Sequence, residues 1–257
     1  MQRVCYDEIV NQLEIKKGDI ILVSSDIRKL MLDSLRHKEK FDINRFIDSI
    51  INAVGDDGTV LVPTYNWDFC KGITFDYHNT PSKTGSLGSA ALARTDFKRS
   101  KHPIYSFAIW GKDKEILCQM DYSSSFGTDS IFAYLHNNKA KNLVIDTPIA
   151  NCCTFAHYVE ENSGMVAYRY KKLFVADYID ENNNLTKKSY EMFVRDLDLD
   201  VQNIGPSEQD FLEKGIGKSK DVNGSHFFLF DFDEAYQMIY DDIKNNRSRK
   251  ICSFKGQ

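Results

Sequence analysis

The sequence predicts an α/β protein, and three observations carry that prediction. Short apolar runs that read as buried strands alternate along the whole chain with longer stretches of helical period. The composition, 42% hydrophobic and 27% charged, is that of a soluble globular protein able to bury a sizeable core. No repeat, low-complexity tract or convincing linker divides the 257 residues, so a single domain over 1–257 is expected.

The elements follow in order. Residues 8–15 keep a helical period and stop before Lys16–Lys17–Gly18, a C-terminal signal. Residues 20–23 read as a strand ending in Ser24–Ser25–Asp26, followed by a short helix over 27–32. Ile43–Val54 is strongly amphipathic and closes at Gly55, and the next strand, 59–62, is ended by Pro63. An irregular aromatic segment, 65–83, has the length of a lid or substrate loop. Gly85–Ser86–Leu87–Gly88 then opens an Ala-rich helix over 89–94, and 106–110 reads as a strand. Ser130 and its neighbours cap a helix over 131–135, and Lys141–Ile145 is a buried strand. Residues 166–179 read as extended, 180–188 as a polar turn, and 226–230 as a strand. A last amphipathic helix follows to about 244, and the basic, polar tail 245–257 is expected to be loose.

Charge and cysteine usage exclude several classes. With 33 basic and 37 acidic residues the net charge is −4, too mild to require a polycationic partner and wrong for a sequence-independent nucleic-acid binder. No apolar run approaches the ~18 residues of a membrane span. The N-terminus, MQRVCYDEIVNQL, carries charges where a signal peptide needs its apolar core. A cytoplasmic protein with no nucleic-acid or membrane partner is therefore expected. Its six cysteines are expected to be thiols. Cysteines and histidines do not fall into ligand-like pairs, so no metal is expected.

The chemistry concentrates after Ile145. Asp146–Thr147–Pro148 breaks the strand, and from about Cys152 the pattern turns helical. Thr154, His157 and Glu160 are spaced three apart, which spreads them over ~120° of a helix and lets all three face one cleft. A neutral imidazole is the usual general base near neutral pH, and a carboxylate one turn on can hold its tautomer. A hydroxyl near the helix N-terminus suits charge developing on an oxygen or a leaving sulfur. The same three residues could instead be a cap, a half-buried imidazole and a solvated carboxylate. Cys153, four residues before His157, also admits a Cys–His nucleophile. Ser24–Ser25–Asp26 stands where α/β sheets place ligands, at the carboxyl end of a strand, or else caps the next helix. The run Arg169, Lys171 and Lys172 is either a solvated strand face or an anion site.

Six segments in one order resemble the aminoglycoside N3-acetyltransferase family, over roughly residues 18–243. They are GDIILVSSDI, GTVLVPTY with FDYHNTPSKTGSLGSAALAR, RSKHPIYSFAIWG, FGTDSIFAYL, CTFAHYVE and DVNGSHFFLFDFDEA. RSKHPIYSFAIWG is the most specific, and CTFAHYVE matches the family's Thr-x-x-His-x-x-Glu at Thr154, His157 and Glu160.

The resemblance implies an α/β sandwich with a mixed central sheet flanked by helices, unlike the GCN5-related acetyltransferases. It implies transfer of an acetyl group from acetyl-coenzyme A to an amine of an aminoglycoside or amino sugar, without a metal. His157 and Glu160 would then remove the amine's proton, and Thr154 would stabilise the tetrahedral species or the departing thiolate. Ser24, Ser25, Ser82 and Ser106 would hold the coenzyme, and Tyr65, Asp76 and Arg169 are candidate acceptor contacts. The chain departs from the family at Ser24–Ser25–Asp26, where His-Ser-Ser is common, and at Tyr105, where many members have His. The basic run at 169–172 opens a second expectation, a nucleotide-linked amino sugar as acceptor in surface polysaccharide synthesis. A non-catalytic sugar- or coenzyme-binding protein on the same scaffold is the third.

Overall fold

The structure, a computed structural model, describes residues 3–254. In chain order the strands are β1 (Ile20–Ser25), β2 (Thr59–Pro63), β3 (Phe75–Asp76), β4 (Lys98–Arg99), β5 (Phe107–Gly111) and β6 (Lys141–Ile145). They continue with β7 (Arg169–Ile179), β8 (Leu185–Arg195), β9 (Val201–Asn203), β10 (Lys218–Val222), β11 (Ser225–Asp231) and β12 (Cys252–Phe254). The helices are α1 (Arg28–Arg36), α2 (Ile43–Val54), α3 (Ser86–Leu92), α4 (Lys114–Gln119) and α5 (Ile131–Asn137). After them come α6 (Ile149–Cys152), α7 (Phe155–Ser163), α8 (Glu208–Glu213) and α9 (Phe232–Asn246).

The main sheet has the order β10-β11-β6-β1-β2-β5-β4. It is mixed: β1 runs parallel to β2 and β6, while β5 and β11 pair antiparallel on either side. Side chains of a strand alternate between faces, and here both faces are apolar. Ile21, Val23, Val60, Val62, Leu143 and Ile145 pack on one side, against α2 residues Phe46, Ile47, Ile50 and Val54. Leu22, Leu61, Val144, Phe107 and Phe230 pack on the other, against Phe132, Phe155, Val159 and Ile239. Each such side chain taken out of water is worth about 1.5–3 kcal/mol. A sheet covered on both faces is the mixed α/β sandwich the resemblance implies.

Local chemistry sets the helix ends. Asp42 caps α2 by accepting from the backbone amides of Asn44 at 2.8 Å and Arg45 at 3.3 Å. Gly55, at φ +69°, ends the helix in a conformation that a side chain would strain. Ser130 caps α5 through the Ala133 amide at 3.3 Å.

Several expectations from the sequence need correction. Residues 8–15 form only a 3-10 turn, Ile9–Gln12, with Ile9 and Val10 buried. The 65–83 segment is not a free lid. Tyr65, Phe69, Phe75 and Tyr77 are buried, β3 pairs with β7, and Lys83 N–H donates to Tyr65 O at 2.9 Å. The Arg99 guanidinium lies beneath it and donates to the carbonyls of Thr80 at 2.5 Å, Tyr77 at 3.4 Å and Thr64 at 3.4 Å. The turn at 180–184 is shorter than expected, and the strand β8 begins at Leu185.

The tail is also not loose over the described residues. Arg247 and Ser248 turn the chain back at positive φ, +54° and +61°, and β12 then pairs antiparallel with β9. Ser248, Ile251 and Cys252 are buried as a result. Residues 255–257 lie outside the described part of the chain. No described helix is long and apolar enough to cross a membrane.

Candidate active site

Two clefts meet at the start of α7. The larger, about 240 Å³, lies at the carboxyl ends of β1 and β2, where Ser24, Ser25, Val62 and Pro63 form part of its wall. Tyr65, Trp67, Thr84 and Leu87 face them, and Thr147, Asn151, Cys152 and Thr154 complete the lining. The smaller, about 90 Å³, is bounded by Asn151, Cys153, Thr154, His157 and Glu160 from one side and by Asn203, Gly205 and Ile251 from the other. Asn151 and Thr154 belong to both walls.

The break between α6 and α7 exposes Thr154 to both clefts. Cys153 leaves helical geometry at ψ 59°, and Thr154 takes the N-cap position without using its hydroxyl as a cap. Thr154 instead shares the wall of the larger cleft with Tyr65. The bland reading of this threonine as a helix cap is therefore wrong.

His157 and Glu160 are brought together as the spacing predicts. His157 Nδ1 lies 2.6 Å from Glu160 Oε2. With Nδ1–H donating to the carboxylate, a neutral ring carries its lone pair on Nε2, which makes no hydrogen bond to any described residue. The ring is 24% exposed, and the Phe126 ring packs edge-on at 5.4 Å.

Glu160 is not a solvated carboxylate; it is 2% exposed. Its Oε1 accepts from the Tyr168 hydroxyl at 2.9 Å, with Cys252 Sγ at 4.0 Å. Arg169 Nε lies 2.8 Å from Oε2, off the hydrogen-bond line, so the contact is one of charge rather than an aligned bond. Burial pushes the carboxyl up, but His157, Arg169 and Tyr168 outweigh it and hold Glu160 below its usual value.

The other expected residues divide sharply. Ser24, Ser25 and Tyr65 line the larger cleft. Ser82 supports it from behind, with its Oγ 3.0 Å from the Thr84 hydroxyl. Ser106 is fully buried, pairs with the Thr64 hydroxyl at 2.9 Å and accepts from Arg99 Nε at 3.1 Å, so it has no face toward a coenzyme. Asp76 organises its own turn, accepting from the His78 and Asn79 amides at 2.9 Å, and touches neither cleft. Arg169 is buried behind Glu160 rather than facing an acceptor.

Sequence reading missed Asn151, Trp67, Tyr168, Asn203 and Ile251. The apolar Ile251–Cys252 and Phe254 inside a basic tail were the available signal for the last of these. Among the described residues no group of three His, Cys, Asp or Glu side chains could hold a metal ion.

The fold and this geometry agree with what the chain is similar to. The aminoglycoside 3-N-acetyltransferase family model matches residues 27–243, and the chain belongs to that family of acyltransferases. A curated relative is the SPbeta prophage-derived aminoglycoside N(3')-acetyltransferase-like protein YokD of Bacillus subtilis (strain 168). It is 26% identical over 271 residues, spanning 95% of this chain and 93% of that protein. The crystal structure of YokD superposes with a TM-score of 0.76 at 22% identity, covering 98% of this chain and 97% of that one. AAC-IIIb, solved as a binary complex with CoASH, gives 0.77 at 17% identity over 94% and 95% of the two chains. Sisomicin-bound AAC-VIa gives 0.76 at 17% identity over 95% and 99%. At these identities the solved structures establish the fold, and the family match establishes the class.

Proposed function

We propose that this chain transfers the acetyl group of acetyl-coenzyme A to an amine of an aminoglycoside or related amino sugar, by direct attack while both substrates are bound. The observation that carries this reading is Thr154 on the wall common to both clefts, with His157 in one and Ser24 and Ser25 in the other. The larger cleft suits an acyl-pantetheine arm. Val62, Leu87 and Trp67 offer apolar walls to its methylenes, and Ser24, Ser25, Thr84 and Asn151 offer partners to its amides. The complexes of AAC-IIIb with CoASH and of AAC-VIa with sisomicin support the same donor and acceptor classes here.

In this scheme the amine nitrogen bonds to the thioester carbon and gives its proton to His157 Nε2. The Thr154 hydroxyl meets the charge growing on the carbonyl oxygen. The carbon–sulfur bond then breaks, and the leaving thiolate takes the proton back from the imidazolium. Holding both substrates across one helix turn converts a bimolecular step into a nearly unimolecular one.

The alternatives lose support. Burial pushes the Cys153 thiol up to about 12, and the charge of Glu160 acts in the same direction, which disfavours a covalent acyl-cysteine. A phosphate-bearing acceptor rested on the basic run. Arg169 is committed to Glu160, and Lys171 pairs with Glu161 at 2.9 Å. The deciding experiment is thiol release from acetyl-coenzyme A with aminoglycosides in one panel and nucleotide-linked amino sugars in the other. Release with the first panel only is expected; release with neither, or an unimpaired His157→Ala variant, overturns the proposal.

A further inference from the structure

We propose that Arg169 is a positioning residue that cancels the charge of Glu160, so that the carboxylate orients the His157 ring without trapping a proton on it. The inference rests on the reading of His157 as the base and assigns Arg169 a part in that reaction. A buried carboxylate touching an imidazole does two things at once. It fixes the tautomer, which a base needs, and it favours the imidazolium, which a base cannot use. A cation on the same carboxylate removes the second effect and leaves the first.

The geometry meets that requirement. His157 Nδ1 and Arg169 Nε approach the same oxygen, Glu160 Oε2, at 2.6 Å and 2.8 Å. The Arg169 side chain is only 4% exposed and lines neither cleft. Its remaining donors are fixed by two further strands: Nη1 to Phe193 O of β8 at 3.2 Å and Nη2 to Asn203 Oδ1 of β9 at 2.7 Å. A guanidinium can reach a carboxylate, a carbonyl and an amide together, whereas an ammonium is a single point of charge.

The other titratable groups around Glu160 do not supply the cancelling charge. Tyr168, just before β7, donates a neutral hydroxyl to Oε1. Cys252 of β12 and Cys153 at the α6–α7 break are neutral thiols, both pushed up by burial. Glu161, the next acid on α7, is paired with Lys171 and bound by the Ser124 hydroxyl. Arg169 is a cation in direct contact with Glu160.

The test is the pH dependence of kcat/KM for acetyl transfer to a single aminoglycoside. Arg169→Met is expected to move the acid limb upward by about one pH unit, which is a roughly tenfold loss at a fixed pH on that limb. Arg169→Lys is expected to return the midpoint most of the way, and KM for acetyl-coenzyme A should stay within about twofold of wild type. A merely structural role would lower kcat across the range and leave the midpoint where it was; that result overturns the proposal.

Should Arg169→Met fail to melt cooperatively, the double variant Arg169→Met/Glu160→Gln carries the test, since it leaves no unpaired buried charge. Its midpoint should match wild type, and a drop of about one unit would overturn the idea. The base itself is checked separately. A limb that survives in His157→Ala refutes the base, whereas a limb lost there but unmoved in Arg169→Met refutes only the role of Arg169.

Discussion

Tyr168 donates its hydroxyl to Oε1 of Glu160 at 2.9 Å, on the oxygen that His157 does not use. The carboxylate is thus held from both ends inside the protein, where an unpaired lone pair is costly. Tyr168→Phe removes that donor and should destabilise the fold by about 1–3 kcal/mol, as read from the midpoint of urea unfolding. Turnover should fall less than in His157→Ala, because the Nδ1–Oε2 contact survives.

His157→Ala should lower kcat by about 10²–10⁴-fold while the KM for acetyl-coenzyme A stays near wild type. Steady-state thiol release at saturating amine measures both. A parallel rise in KM would mean that the imidazole contributes to coenzyme binding instead.

Glu160 links the site to acid stability. Its folded-state pKa is depressed, so the carboxylate contributes stability that is fully present above the unfolded value of about 4.3. That contribution is lost as pH falls through the folded value. Unfolding midpoints of wild type and Glu160→Gln should therefore differ most above the unfolded value and converge only as pH falls through the lower, folded one. A constant difference across that window would contradict the depressed value.

The serines should separate by their surroundings. Ser25→Trp would fill the larger cleft and should raise the KM for acetyl-coenzyme A by about tenfold or more, equivalent to about 1.4 kcal/mol of lost binding. Ser106→Ala should instead cost about 1–3 kcal/mol of stability, because Arg99 Nε loses a buried acceptor, with the KM unchanged. Kinetics and unfolding run on both variants distinguish the two roles.

Much of the site was legible because it is local. Thr154, His157 and Glu160 share one helix, so their spacing alone decides whether they meet. Ser24 and Ser25 were legible for a related reason, since a strand end in an α/β sheet is a place where ligands bind. Arg169 was not. In the run Arg169–Lys172 only the first cation turns inward, and what turns it is Glu160 on α7 together with Asn203 on β9, contacts no window of sequence contains. Ser106 sits in a motif with its hydroxyl facing the core, because Arg99, seven residues earlier, needs an acceptor there. The main sheet was readable from apolar runs, but β12 was hidden in a basic tail, where its pairing with β9 and the packing of Phe254 on Tyr168 hold it.

That last strand has a practical consequence for probing the protein. Ile251 forms part of the wall of the smaller cleft and Phe254 closes the pairing with β9, so peeling β12 away from β9 would strip one wall from the cleft that His157 lines.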